Sequence, residues 1–105
     1  MFPNNDTGQA LKRLSDDGAD LSLPMEFDFF IAIPSERLGL RIASEVSRLD
    51  FETSVEFDSE VNEWTCYCTK KIIPSYENIE KIEQELSQIA SKLGGNYDGF
   101  GSFGN

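Results

Sequence analysis

Large apolar residues occupy every second position between Met25 and Ile33, and this alternation limits the possible folds of the chain more than any other feature. Successive side chains of a β-strand point to opposite faces, so the apolar set would bury one face of a strand. Glu26 and Asp28 begin the opposite face. The sequence therefore predicts a strand over Met25–Ile33 with one covered side. The apolar set is Met25, Phe27, Phe29, Ile31 and Ile33.

Two long helices are predicted, and each of them begins at a Pro-Ser pair. Ser35 and Ser75 are suitable N-cap residues, because a serine side chain accepts a hydrogen bond from a backbone N–H of the first turn. Apolar residues then recur at helical spacing, and Gly94-Gly95 ends the second helix. The stripes are Leu38, Ile42, Val46 and Leu49 in the first helix, and Ile79, Ile82, Leu86, Ile89, Ala90 and Leu93 in the second.

Three further strands are predicted from alternation and from turn residues. Two lie over Glu52–Asp58 and residues 62–73, and a short linker makes them a hairpin. Phe57 is expected to face inward in the first of them. The third lies over residues 96–103, where aromatic residues alternate with glycines and favour a close backbone approach or a bulge.

The predicted order is a short helix within residues 1–18, followed by β-α-β-β-α-β. Right-handed crossovers then give an α+β fold of the ferredoxin-like, split β-α-β type, an antiparallel sheet with both long helices on one face. The first helix, capped by Asn5 or Asp6 and ended by Gly18, is expected to be peripheral. The chain has 105 residues, of which 39% are hydrophobic, so we expect one core and a single domain over residues 1–105.

Charge and residue usage exclude several classes of function. The formal net charge of −10 opposes the phosphate contacts that supply most nucleic-acid affinity, so direct RNA or DNA binding is not expected. The chain has no histidine, which removes the usual general base and the commonest metal ligand. We therefore predict a protein that is not an enzyme and that uses no metal or other cofactor.

The sequence shows neither a secretory signal nor a membrane-spanning segment, so a cytoplasmic location is expected. The N-terminal residues are polar, and no apolar run approaches the roughly 18 to 20 residues of a membrane span. Cys66 and Cys68 lie two apart in a predicted strand, where a bridge between them would be strained. They are predicted to be buried free thiols.

The sheet face opposite the long helices is predicted to be acidic and open. Like-charged residues directly opposed on adjacent strands repel one another, by up to ~1 kcal/mol for each pair. A cationic partner would relieve that repulsion, and aromatic residues inside a charged surround are a common binding pattern. Phe30 falls among the carboxylates of this face. The residues predicted to bind a partner are Glu26, Asp28, Glu52, Glu56, Asp58, Tyr67, Tyr97, Asp98 and Phe100.

Two glycine-bearing stretches and the order of elements between them carry a resemblance to a known family. Residues 16–20 read Asp-Asp-Gly-Ala-Asp, and residues 95–102 read Gly-Asn-Tyr-Asp-Gly-Phe-Gly-Ser. Together they resemble the family called regulator of ribonuclease E activity B, over residues 11–105. The resemblance implies a cytoplasmic, bacterial, ferredoxin-like protein that binds the endoribonuclease of the RNA degradosome and reduces or redirects its activity. The arginine-rich scaffold of that nuclease would suit an acidic partner.

Other interpretations of the same residues remain open at this point. The chain could be an immunity-type inhibitor of another basic nuclease, or a ferredoxin-like module that senses a small molecule. The carboxylates of residues 16–20 lack the regular ligand spacing of a calcium loop, so a helix end with solvated acids is favoured over a metal site. Residues 97–101 lack the strand-then-helix setting of a phosphate-binding loop, and structural packing is favoured there.

Overall fold

Three helices and four strands follow one another in the computed structural model, which describes residues 3–102. Each predicted element is present, and the strand predicted over Met25–Ile33 is confirmed to the residue. Residue 103, which ends the predicted aromatic alternation, lies outside the described residues. The elements are α1 (Asp6–Asp16), β1 (Met25–Ile33), α2 (Glu36–Ser47), β2 (Glu52–Asp58), β3 (Glu63–Ile72), α3 (Tyr76–Leu93) and β4 (Asn96–Gly101).

The four strands form one antiparallel sheet in the order β2-β3-β1-β4. The β2–β3 connection is a hairpin, as predicted. The other two connections contain α2 and α3, and each joins strands that are separated by one intervening strand of the sheet. The fold is therefore α+β with an open sheet whose edges are β2 and β4.

Both long helices cover the same side of the sheet, which we call the covered face. Their buried residues share one core cluster with the alternate residues of β1, including Phe27 and Phe29, which are fully buried. Ser35 and Ser75 are the N-caps of α2 and α3, as predicted, and Gly94 ends α3 with a φ of 90°. A left-handed residue at this position is the usual way for a helix to end.

Two expectations about burial are wrong. Leu11 of α1 is fully buried in the main core, so the first helix is not peripheral. Phe57 lies on the predicted side of β2 but is 47% exposed. It is next to the hairpin turn on an edge strand, where Trp64 packs against one side of its ring and solvent reaches the other.

Gly39 of α2 lies where the helix approaches the sheet most closely. A Cβ atom at this position would clash with the side chain of Ile33 and would come within 2.8 Å of Cγ1 of Val55. The apolar stripe predicted for this helix consisted of large residues only and did not include Gly39. Its small size allows α2 to lie close to β1 and β2.

Candidate partner-binding surface

The second side of the sheet is lined by charged and aromatic side chains, and we call it the acidic sheet face. Its residues follow from the strand register, because cross-strand partners point to the same side. The carboxylates of this face belong to Glu26, Asp28, Glu52, Glu56, Asp58 and Glu63, and the rings at its centre belong to Phe30 and Tyr67.

No helix of residues 3–102 covers this face. The first helix lies elsewhere, because Oγ1 of Thr7 in α1 donates a 2.6 Å hydrogen bond to Oε1 of Glu83 in α3. Leu11 of the same helix is buried in the core cluster that α2 and α3 share with the covered face. The side chains of Glu26, Glu52 and Glu56 are exposed, so the acidic sheet face is accessible to a partner.

An aromatic pair lies at the centre of the acidic sheet face. The rings of Phe30 and Tyr67 are cross-strand neighbours, with centroids 5.6 Å apart and planes at 86°. On its other side, Phe30 pairs with Gly99 of β4 and lies diagonally opposite Gly101, where an added Cβ would lie 3.8 Å from Cζ of the ring. Glycine therefore leaves that side of the ring without a covering side chain. Aromatic rings surrounded by carboxylates suit a guanidinium group, which stacks on rings and pairs with carboxylates.

The register separates the carboxylates more than the sequence suggested. Thr69 lies between Asp28 and Glu52, and its hydroxyl donates a 2.6 Å hydrogen bond to Oδ1 of Asp28. Because β3 lies between β1 and β2, a carboxylate of β1 and one of β2 are about 10 Å apart. This distance is close to the screening length at physiological salt. Asp58 and Glu63 are directly opposed. The predicted repulsion between opposed carboxylates is thus largely confined to the hairpin end.

Tyr97 and Phe100 do not join this face, although both were predicted to bind a partner. The pairing with β1 shifts between Phe30 and Ile31, so Asp98 is a bulged residue opposite no β1 residue. The bulge turns both aromatic side chains to the covered face. The ring of Phe100 lies 5.8 Å from that of Phe27, and Tyr97 donates to Glu83.

These β4 residues instead line a shallow groove beside α1. The groove has a volume of about 390 Å³, and Asp98 and Gly99 form part of its wall. A contact of Tyr97, Asp98 and Phe100 with a partner stays a prediction, and it would involve a surface distinct from the acidic sheet face.

One family model, described as regulator of ribonuclease activity B, matches residues 4–102. This stretch includes every strand and helix of the fold. The chain belongs to this family. No curated protein matches the chain in a sequence comparison. The family is thus a regulatory one that acts on ribonuclease activity, and membership agrees with the resemblance carried by residues 16–20 and 95–102.

In this family member, two charged residues of the acidic sheet face were missed by the sequence analysis. Glu63 and Lys71 lie on β3 at even spacing from Tyr67, so the alternation that placed Tyr67 would have found them. Lys71 is the cross-strand partner of Glu26. The neighbouring Lys70 points to the covered face, where its Nζ donates to the carbonyl oxygen of Leu49. Lys71 is therefore the basic residue that offsets part of the carboxylate charge of the acidic sheet face, next to Glu26, and the face stays net acidic.

The cysteine prediction is confirmed. Cys66 and Cys68 are fully buried free thiols on the covered face, with their Sγ atoms 4.0 Å apart. The contact with Cys66 and the burial raise the pKa of the Cys68 thiol above its ordinary value. A protonated, inaccessible thiol is unreactive, so Cys68 has a packing role.

Residues 16–20 end a helix in this family member. Gly18 has a φ of 97° and follows the last turn of α1, as predicted for a helix stop. Oδ1 of Asp20 accepts hydrogen bonds from the backbone N–H and the hydroxyl of Ser22.

Within residues 3–102, no three His, Cys, Asp or Glu side chains are grouped so that they could hold a metal ion. The same residues contain no helix that is long and apolar enough to cross a bilayer.

Glu83 of α3 accepts hydrogen bonds from α1 and from β4. This arrangement predicts that the protein loses stability at alkaline pH. The Glu83 carboxylate accepts 2.6 Å hydrogen bonds from Thr7 and from Tyr97. Burial, followed by the bond to Glu83, raises the pKa of Tyr97 above its ordinary value. Because the folded state retains the phenol proton that the unfolded state loses above pH ~10, stability falls as pH rises from that point.

Replacing the phenol tests this coupling. Tyr97→Phe should lower the free energy of unfolding at pH 7 by about 1.5 to 3 kcal/mol, the usual worth of a hydrogen bond to a charged group. The variant should also lose less stability than the wild type between pH 9 and 11 in urea unfolding. Thr7→Val is the matched control, since it removes a bond to the same carboxylate but keeps the phenol. Parallel pH profiles for wild type and Tyr97→Phe would contradict the coupling.

Proposed function

We propose that the chain is a non-catalytic regulator that binds ribonuclease E, or a related basic endoribonuclease, through the acidic sheet face. The observation that carries this proposal is an uncovered sheet face on which carboxylates surround the Phe30–Tyr67 pair. Family membership supplies the class of target, a ribonuclease. The sheet face supplies a surface that suits an arginine-rich segment of that target.

Electrostatics support contact with a basic protein and oppose contact with RNA. The net charge of −10 attracts a cationic segment and speeds its encounter, while it repels phosphates. An extended basic segment laid over the sheet would place guanidinium groups against Phe30 and Tyr67 and near Asp28 and Glu56. Binding of the nuclease, with no contact to its RNA substrate, would then lower or redirect RNA cleavage.

The proposal also covers the location, the domain organisation, the fold type and the lack of catalysis. We place the protein in the bacterial cytoplasm, where the nuclease acts, and we take residues 1–105 as one domain. The β2-β3-β1-β4 order, with each crossover helix spanning one strand, supports the ferredoxin-like description of the fold. The absence of histidine from the sequence supports a role without catalysis.

Capture from bacterial cytoplasm tests the proposed partner. The tagged chain is incubated with cytoplasm of its own source at low salt and then washed at rising salt, and the eluate is identified by mass spectrometry. We expect ribonuclease E in the low-salt eluate and its loss as salt rises, because salt screens exposed charge pairs. Recovery of a different basic nuclease would transfer the proposal to that enzyme. Recovery of no nuclease would contradict it.

A further inference from the structure

An apolar cluster is exposed at the hairpin end of the sheet, and we call it the hairpin patch. It consists of the neighbouring rings of Phe57 and Trp64, together with Val61, which is exposed in the adjoining turn. Phe57 is 47% exposed and Val61 is 59% exposed, and the rings of Phe57 and Trp64 lie 5.2 Å apart. Val61 belongs to the turn that joins the two strands carrying these rings.

The hairpin patch borders the acidic sheet face. Asp58 and Glu63, the directly opposed pair of that face, flank Phe57 and Trp64 in the chain. A depression of about 390 Å³ lies at the hairpin end of the acidic sheet face, and Phe57 is the one patch residue in its lining. Its lining residues are Glu56, Phe57, Asp58, Ser59, Glu60 and Tyr67. Phe57 and Trp64 point to the covered side of the sheet and Tyr67 points to the acidic side. A partner segment that lies over Tyr67 therefore reaches the hairpin patch by passing around the hairpin end of the sheet, next to Asp58.

The charge around the patch decides which partner fits. A second copy of the chain would meet it in a two-fold contact, which would bring Asp58, Glu60 and Glu63 against the same residues of the copy. Like charges in such a contact oppose association. A partner that presents a large apolar side chain flanked by arginine or lysine would satisfy both the rings and the surrounding carboxylates.

We propose that the hairpin patch is a second contact point for the nuclease, and that it takes an apolar side chain flanked by basic residues on the same bound segment. This inference rests on the proposed function, because it assumes that a basic segment lies on the acidic sheet face. Exposed rings inside a charged surround are typical of residues that contribute most to binding. The patch adds affinity that salt does not screen.

Phe57→Thr tests the patch with little risk to the fold. Phe57 is half exposed on an edge strand, and threonine keeps the preference for β structure. We expect the dissociation constant for purified ribonuclease E to rise about tenfold at both low and high salt, because loss of an apolar contact is not screened. Leu23→Thr is the matched control. Leu23 is 51% exposed and precedes β1, roughly 25 Å from the end that pairs with Trp64.

Trp64 gives a second measurement that needs no substitution. It is the single tryptophan of the chain and is partly exposed, so its emission reports on the hairpin patch directly. A peptide copy of the arginine-rich nuclease scaffold, free of tryptophan, should shift this emission to the blue as it covers the ring. The shift should saturate with the same dissociation constant as binding.

The outcomes separate this inference from the proposed function. Phe57→Thr binding as tightly as the wild type, with unchanged Trp64 emission, would overturn the hairpin patch while leaving the acidic sheet face in place. An equal loss for Leu23→Thr would also overturn it. A wild-type chain that binds neither the nuclease nor its scaffold peptide would overturn both claims. A tenfold loss confined to Phe57→Thr, together with the emission shift, would support the patch.

Discussion

Reversing Glu52, Glu56 and Asp58 to lysine should weaken binding of the nuclease by about 100-fold at low salt. The three carboxylates lie along β2 on the acidic sheet face, and each reversal changes the charge by two units, so the formal balance goes from −10 to −4. An exposed ion pair contributes up to ~1 kcal/mol, and three lost pairs correspond to roughly 100-fold in affinity. Isothermal titration with purified ribonuclease E at low salt measures the effect.

Salt dependence and a matched variant identify the cause of the weaker binding. In about 0.5 M salt the difference from wild type should shrink below tenfold, because exposed charges are then screened. The control reverses Glu36, Glu45 and Glu77, which are exposed on α2 and α3 and give the same net charge. This control should bind within about threefold of the wild type, since the proposed contact lies on the other side of the sheet. Equal losses in the two triple variants would point to net charge and contradict a specific acidic face.

Leu11→Ala should lower the free energy of unfolding by about 3 kcal/mol, a loss typical of a buried leucine. Leu11 is fully buried in the same cluster as Leu86 of α3. Removing a buried leucine side chain costs roughly 2 to 5 kcal/mol, because apolar contact is lost and a cavity remains. Urea unfolding followed by circular dichroism measures the change.

Two comparisons complete that experiment. Leu86→Ala should cost a similar amount, because both leucines are fully buried. Leu14→Ala should cost less than Leu11→Ala, since Leu14 is only partly buried against the core. A loss below about 1 kcal/mol for Leu11→Ala would mean that α1 can leave the core without affecting the rest of the fold.

Strand and helix positions could be predicted because each pattern is local. The alternation of Met25–Ile33 and the Ser35 and Ser75 caps depend on neighbouring residues alone, and all three are confirmed. Burial of α1 could not be predicted in the same way. Leu11 and Leu14 are too few to indicate whether a short helix joins the core, and the bond from Thr7 to Glu83 links residues far apart in the chain.

The acidic sheet face could also be anticipated, but not its limits. Even spacing along each strand placed Asp28, Glu56 and Tyr67 on one side, as the register has them. The sequence indicated a bulge without giving its position, and the shift at Asp98 turns Phe100 to the covered face. The spacing of carboxylates across β3 depends on strand order, which the local sequence does not encode.

The most direct test of the account is the rate of RNA cleavage by purified ribonuclease E as the chain is titrated. We predict that the wild-type chain changes the rate saturably and that added RNA does not compete for the chain, because an acidic face repels phosphates and the proposed contact is with protein. The triple reversal of Glu52, Glu56 and Asp58 should need at least tenfold more chain for the same effect at low salt. Cleavage rates that are unaffected by the wild-type chain, or affected equally by both chains, would contradict the account.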